Sequence, residues 1–175
     1  MLFRSTIILR PPVLYGPRDQ EFLPLFQSIR WGLAPLLGSG KNELSVCYVE
    51  DVARALNDLV ESLLTSDEIF CLDDGSIQTW KSMAETVSKV MGKKALSLKI
   101  PKPLFKIGAA FSQTWAKIRG KPAIFTLDKI NEMEQPRWVC GYERLQKKRS
   151  WKPEVTLREG MERTYRYYRD VKLLP

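Results

Sequence analysis

Three patterns in this sequence hold residue types that could do chemistry. Tyr168 and Lys172 form a YxxxK, and an ammonium one helical turn from a phenol can lower its pKa for proton transfer. Gly38-Ser39-Gly40-Lys41 has letters of a phosphate-cradling loop. Cys47, Cys71 and Cys140 could be thiolate ligands or nucleophiles. Each pattern has a plainer explanation. The YxxxK lies at the tail of the last helical pattern, among Tyr165, Tyr167 and Arg169, and reads as a solvated helix end. The GSGK has Pro35 where a P-loop needs glycine and Asn42 where it needs Ser or Thr. The cysteines are odd in number, widely spaced, without a CxxC and set among apolar residues. They read as buried reduced thiols, not as disulfides or a zinc site.

The chain has 175 residues and no histidine. That removes Ser-His and Cys-His catalysis and every metal site that needs imidazole. No catalytic residue and no metal ligand is assigned. Lys and Arg exceed Asp and Glu by 28 to 20, a net charge of +8. The excess is local: Thr86 to Leu127 holds nine Lys and Arg and no Asp or Glu, so the rest of the chain is about neutral. An acidic substrate, an anionic membrane surface or a docking partner is expected at that segment. A second cluster, Arg144, Lys147, Lys148, Arg149 and Lys152 beside Trp151, carries no nucleic-acid motif, and a nucleic-acid role is not expected. There is no signal-peptide pattern at Met1 and no apolar run near membrane-spanning length, so a cytoplasmic location is expected.

The elements that must position these residues follow from periodicity. Ser5 to Arg10 is a β-branched apolar run stopped by Pro11-Pro12 and predicts a buried, central parallel strand. A Gly- and Pro-punctuated loop, Val13 to Asp19, leads to a helix over 20–31 with Phe22, Leu25, Phe26 and Ile29 on one side. After the turn at 38–42, Leu44 to Val49 predicts a strand. Glu50-Asp51 then caps a helix whose apolar positions run from Val52 to Leu63. Ile69 to Leu72 predicts a strand ended by Asp73-Asp74-Gly75, and Thr79 to Met91 a helix stopped by Gly92. This alternation predicts an α/β fold with a parallel sheet.

Leu96 to Ile100 alternates like an edge strand. Pro101 and Pro103 start a helix to about Gly120, with Leu104, Ile107, Phe111, Trp115 and Ile118 on one face. Such a face usually packs on the protein's own core, the alternative being a membrane surface. A helix near Thr126 to Met133, an extended piece at Trp138 to Cys140 and a terminal helix to about Asp170 complete the chain. Thr156 and Glu159 are expected to form a capping box at that last helix.

Several stretches resemble the NAD(P)-dependent epimerase/dehydratase family, the extended short-chain dehydrogenases. Arg10-Pro11-Pro12-Val13-Leu14-Tyr15-Gly16-Pro17-Arg18-Asp19 is similar to its RPxxVYGPRD segment. Gly38 to Asn42 followed by Leu44 to Ala55 is similar to its "GxGxN…fVhVdDVArA", and Ser150 to Pro153 with Thr156 to Gly160 to its "lGWxPxvsleEGl". The order and spacing agree over nearly the whole chain, but only with the C-terminal half of such an enzyme. The Gly-rich cofactor turn and the catalytic YxxxK belong to the family's N-terminal half, and no GxGxxG, GxxGxxG or Walker sequence occurs in this chain.

The resemblance implies the C-terminal part of a Rossmann-like parallel sheet, about 1–92, plus a small, mostly helical substrate-binding lobe, about 93–175, together one incomplete domain. It implies NAD or NADP as cofactor and no metal. Arg10, Pro11, Pro12, Val13 and Tyr15 would lie against the nicotinamide end. Arg18, Tyr48, Arg137 and Trp138 would face a sugar, sterol or similar hydroxy or keto substrate. Asp51 is expected to serve as a helix cap. Alone, the chain is expected to be inactive, and exposed strand edges are expected to be covered by a homodimer or a separate N-terminal half. The alternative is a non-catalytic module docking through residues 86–127.

Overall fold

The computed structural model describes residues 6–61, 67–119 and 126–174. Ser5, Leu63, Gly120 and Lys121 lie outside these residues, as do the side chains of Phe111 and Trp115. The first half alternates as expected. Strands β1 (Ile7–Arg10) and β2 (Val13–Tyr15) are one run bent at Pro11-Pro12. Next come α1 (Leu23–Arg30), β3 (Leu33–Leu37), β4 (Glu43–Tyr48), α2 (Val49–Val60), β5 (Glu68–Cys71), β6 (Ile77–Thr79) and α3 (Trp80–Val90). The second half contributes β7 (Leu96–Ile100), α4 (Lys102–Arg119), α5 (Leu127–Met133), β8 (Arg137–Trp138), α6 (Glu143–Arg149) and α7 (Leu157–Asp170).

The bend changes the strand's partner. β1 pairs in parallel with β5, from Ile7 opposite Glu68 to Arg10 opposite Cys71. β2 pairs in parallel with β4, from Val13 opposite Val46 to Tyr15 opposite Tyr48. β6 joins β4 antiparallel and β8 joins it in parallel. β3 and β7 form a separate parallel ribbon. The main core lies between β2, β3 and β4 on one side and α1, α3 and α7 on the other, around Tyr15, Phe26, Tyr48, Met83 and Met161. A second core packs α2 and α6 against β4 and β5 around Cys47, Phe70, Leu145 and Trp151.

Four expectations are corrected, and three elements were not anticipated. β1 is not buried on both faces: its exposure alternates, Ile8 is exposed beside its exposed register partner Ile69, and among the described residues its ladder is with β5. β3, β6 and α6 were not anticipated, because Pro35 masks the first, three residues are too few to show the second, and α6 has a run of charge in place of an apolar stripe. The described members of the apolar stripe of α4 do not face the core. Leu104, Ile107 and Ile118 are 58%, 65% and 73% exposed, while Phe105 and Ala109 make the packing contact with Leu37, Ile130 and Met133. At α7, Thr156 accepts from the Glu159 N–H (3.3 Å), but the Glu159 carboxylate accepts from Arg163 (2.7 Å) instead of reaching back. The reciprocal box forms at α3, between Thr79 and Ser82. Finally, Asp51 does not cap α2, whose N-cap residue is Tyr48 without a side-chain bond.

Gly160 sets the distance between α7 and the sheet. A Cβ there would stand 2.6 Å from Tyr15 Oη, 2.7 Å from Tyr15 Cε2 and 2.9 Å from Tyr48 Cδ2. Both rings are buried and have no room to retreat. We predict that Gly160→Ala costs about 1–3 kcal/mol in urea unfolding. Tyr15→Phe removes a buried hydroxyl that has no partner among the described residues, so it should cost nothing measurable.

Candidate functional site

In open α/β sheets, ligands sit at the carboxyl ends of the parallel strands. Here that edge is formed by the ends of β1, β2, β4 and β5. The Pro11-Pro12 bend follows β1, the Gly16 to Asp19 loop follows β2 and the Asp73-Asp74-Gly75 loop follows β5.

The Gly16 to Asp19 loop is tightly held. Gly16 faces Val49 so closely that a Cβ would overlap its side chain. The Asp19 N–H donates to the Gly16 carbonyl (3.2 Å), the Asp19 carboxylate accepts from the Glu21 N–H (2.8 Å), and the Tyr168 hydroxyl donates to the Asp19 carbonyl (2.6 Å). Burial raises the Asp19 carboxyl pKa. Within this frame Arg18 is exposed with φ +72°, a left-handed conformation that a side chain rarely adopts and that costs on the order of 1 kcal/mol. The YxxxK tyrosine is thus not solvated: Tyr168 is fully buried, burial raises its pKa, and its hydroxyl holds this loop.

The Asp73-Asp74 loop is built from inside. Asp74 Oδ1 accepts from the Ser76 N–H (2.9 Å) and the Ser76 hydroxyl (2.7 Å). Asp73 accepts from the Ser45 hydroxyl (3.3 Å) and the Gly75 N–H (3.3 Å). Burial raises both carboxyl pKa values. Gly75, at φ +78°, lies against the Tyr142 ring. Nearby, burial pushes the Cys47 thiol up to about 12 and the Cys140 thiol up to about 11, which disfavours the reactive thiolate form.

The anticipated site residues divide. Arg10 and Pro11 are exposed, and Pro12 and Val13 half-buried, along the bend. Tyr15 and Tyr48 are fully buried and pack edge-to-face at 5.6 Å, so their side chains shape the site from below. Arg137 and Trp138 are exposed on β8, where Arg137 pairs with Glu43; they border a separate hollow of about 540 Å³ with Asp128, Asn131, Glu132 and Gln135. Arg10 to Arg18 thus run along one bent strand and its loop, whereas Arg137 and Trp138 pair with Glu43 and Leu44 at the start of β4.

Sequence reading missed Asp51, Asp73, Asp74 and Arg163 as site builders. Asp51 is fully buried; its Oδ2 accepts from the N–H groups of Glu154 (3.2 Å) and Val155 (3.1 Å), while Oδ1 pairs with Arg54. Arg163 covers the Tyr48 ring at 5.6 Å and pairs with Glu50 at 2.8 Å. The one available signal was the Asp-Asp-Gly turn. The rest depends on pairings about a hundred residues apart. The GSGK segment is a turn with positive φ at Gly38 and Gly40 and opens no helix. Next to it, Asn42 donates to the Met133 and Gln135 carbonyls and holds the end of α5 to β4. In the basic cluster, Trp151 is buried and so offers no exposed face for stacking, and Arg144 and Lys148 both pair with Glu68.

The geometry defines part of a Rossmann-like α/β fold, in which a parallel sheet carries its loops at the carboxyl edge. No family model matches the chain. It is 31% identical to the ceramide reductase of Caulobacter vibrioides over 140 residues, 77% of this chain and 43% of that protein. It is 25% identical to the 2-alkyl-3-oxoalkanoate reductase of Stenotrophomonas maltophilia over 170 residues, 91% of this chain and 50% of that protein. Its fold matches the UDP-glucuronic acid 4-epimerase of Bacillus cereus, solved with UDP-glucuronic acid and NAD, with TM-score 0.68 at 17% identity, over 94% of this chain and 45% of that one. The chain spans about half the length of the curated relatives it matches. Its fold is that of the C-terminal half of the NAD-dependent epimerase/dehydratase family, the extended short-chain dehydrogenases. No helix among the described residues is long and apolar enough to cross a membrane.

The raised carboxyls make a pH prediction. A buried acid whose pKa is raised binds its proton more tightly in the fold than in the unfolded chain. Its stabilising contribution is complete below about pH 4 and is lost as pH rises through the folded value. Asp74→Asn keeps an acceptor for Ser76 and removes the buried charge. Thermal unfolding should show a higher Tm than wild type at pH 7 and no gain at pH 4.

Proposed function

We propose that this chain is the substrate-binding half of an NAD(P)-dependent reductase or epimerase acting on a hydroxy or keto group of a lipid-like substrate. The observation that carries this reading is that the Arg10 to Pro12 bend and the Arg18 loop each leave the carboxyl end of a strand held in parallel pairing, β1 with β5 and β2 with β4. The named substrates of the two reductases, a ceramide and an alkyl-substituted oxoalkanoate, favour an apolar substrate with a polar reacting end.

The residues fit one border of a dinucleotide and not its phosphates. The exposed bend offers a rigid edge for a flat ring, but no helix among the described residues opens on a Gly-rich turn. When bound, NAD(P) would supply the hydride exchange. This chain's own residues would position: Arg10 to Val13 would border the ring, and the Arg18 guanidinium, aimed outward by its loop, would hold an anionic or carbonyl group of the substrate. The division into sheet part (1–92) and lobe (93–175) belongs to this reading. So does covering of the β1–β5 edge and the exposed Ile8–Ile69 pair by a second copy or a separate N-terminal half. The exposed apolar side of α4 favours a second reading, a non-catalytic module that docks through residues 86–127.

Titration of NADH and NADPH fluorescence tests the reading. The chain alone should leave emission unchanged up to about 1 mM, and submicromolar binding would show a complete cofactor site and overturn it. In light scattering the chain alone should be dimeric; a monomer at high concentration would sink the idea that β1 is covered by a second copy.

A further inference from the structure

The helices α1, α3 and α7 pack on one another and finish at the same end of the molecule, where the β3–β7 ribbon begins. A groove of about 810 Å³ runs between these helix ends, bordered by Arg30, Val90, Arg166, Arg169, Lys172 and Leu173. Beside it, α1 closes on Trp31, which is 76% exposed although it is among the largest apolar side chains in the protein. The Arg30 guanidinium lies 5.5 Å over its ring. Gly32 then turns the chain into β3 at φ +79°, and its carbonyl accepts from the Leu96 N–H (2.8 Å). Leu33 and Leu96 are register partners and both are exposed, Leu96 by 70%; Leu98 follows on the same face. That face is the one on which Leu37 meets α4 and α5 further along, so the ribbon's apolar side is covered at its far end and bare at this one. Val171 and Leu173 are exposed at the end of α7.

Charge surrounds the apolar groups. Arg30, Lys93, Lys94, Arg166, Arg169 and Lys172 enter no ion pair among the described residues. On the same elements, Glu85 pairs with Lys81 and Glu162 with Arg158, which leaves Asp170 as the opposing carboxylate. Helix C-termini carry partial negative charge that such cations offset, but six of them exceed what three helix ends require.

We propose that this end of the molecule docks on a bilayer surface that carries anionic lipid. Trp31, Leu33 and Leu96 enter the boundary between headgroups and acyl chains. The lysines and arginines reach from the rim to lipid phosphates, their alkyl stems lying along the apolar groups. An exposed tryptophan flanked by leucines and ringed by long cations is the composition such a boundary favours. The surface shares no residue with the carboxyl-edge loops, so the proposal stands whether or not the reading of those loops does.

Sedimentation of the 175-residue chain with vesicles tests it. One set is phosphatidylcholine alone and the other contains about one quarter phosphatidylglycerol, which sets the negative surface potential. The chain should sediment with the anionic vesicles at least about tenfold more strongly, and added salt should weaken it. Trp31→Ser and the double variant Lys93→Glu/Lys94→Glu should each reduce binding at least about tenfold. All three positions are exposed, so the fold is not at stake. Lys147→Glu/Lys152→Glu makes the same charge change on exposed residues elsewhere and should leave most of the binding. Absence of binding, or equal loss in the two charge-reversal variants, would overturn the proposal. So would a dimer in light scattering that Trp31→Ser dissociates, because a second copy would then occupy the surface.

Discussion

The carboxyl edge of the sheet depends on how closely α7 lies against β2 and β4. Gly160 permits backbone-to-ring contact with Tyr15 and Tyr48; Tyr15 ends the strand from which the Gly16 to Asp19 loop springs, and Tyr48 ends β4 where α2 begins. At its start α7 is tied through Val155 and Glu154 to Asp51. Near its other end Tyr168 holds the Asp19 carbonyl. One helix, gripped at three points, thereby fixes the floor of the edge and one of its walls.

A buried carboxylate is costly unless its oxygens are satisfied. Asp51 meets that condition with two backbone donors and Arg54, which also reaches Glu154. The arrangement binds the first turn of α2 to a segment about a hundred residues later. It converts a local helix start into a long-range joint. Arg163 repeats the logic at the surface, joining α7 to Glu50 while covering Tyr48. The lobe residues Arg137 and Trp138 are attached to the same sheet by a different route, through the β4–β8 pairing and Asn42. They therefore occupy their own hollow rather than the carboxyl edge.

Periodicity carried most of the fold. The alternation of β4, α2, β5 and α3 was legible because apolar spacing changes cleanly at Val49, Glu68 and Trp80. The bend at Pro11-Pro12 and the Arg18 loop were legible as a resemblance over consecutive residues. What escaped had no local signature. Asp51 resembles a helix-start acid from its neighbours alone, and only the folded chain shows that its acceptors serve residues 154 and 155. Tyr168 looked exposed because Tyr165, Tyr167 and Arg169 surround it, yet it is the member of that run that turns inward. On α4 the larger apolar residues drew attention to one face, whereas Phe105 and Ala109 make the contact.

The strand that bends at Pro11-Pro12 belongs to two ladders at once, with β5 before the bend and β4 after it. Neither proline has an N–H to give to a neighbouring strand. If β1 slid one residue along β5, or β2 along β4, toward the bend, a proline would enter the ladder and every side chain would change faces. The same two residues thus act as stops from both directions. They proofread strand registry at the point where the candidate site begins, so a chain that has paired correctly on one side of the bend is already indexed for the other.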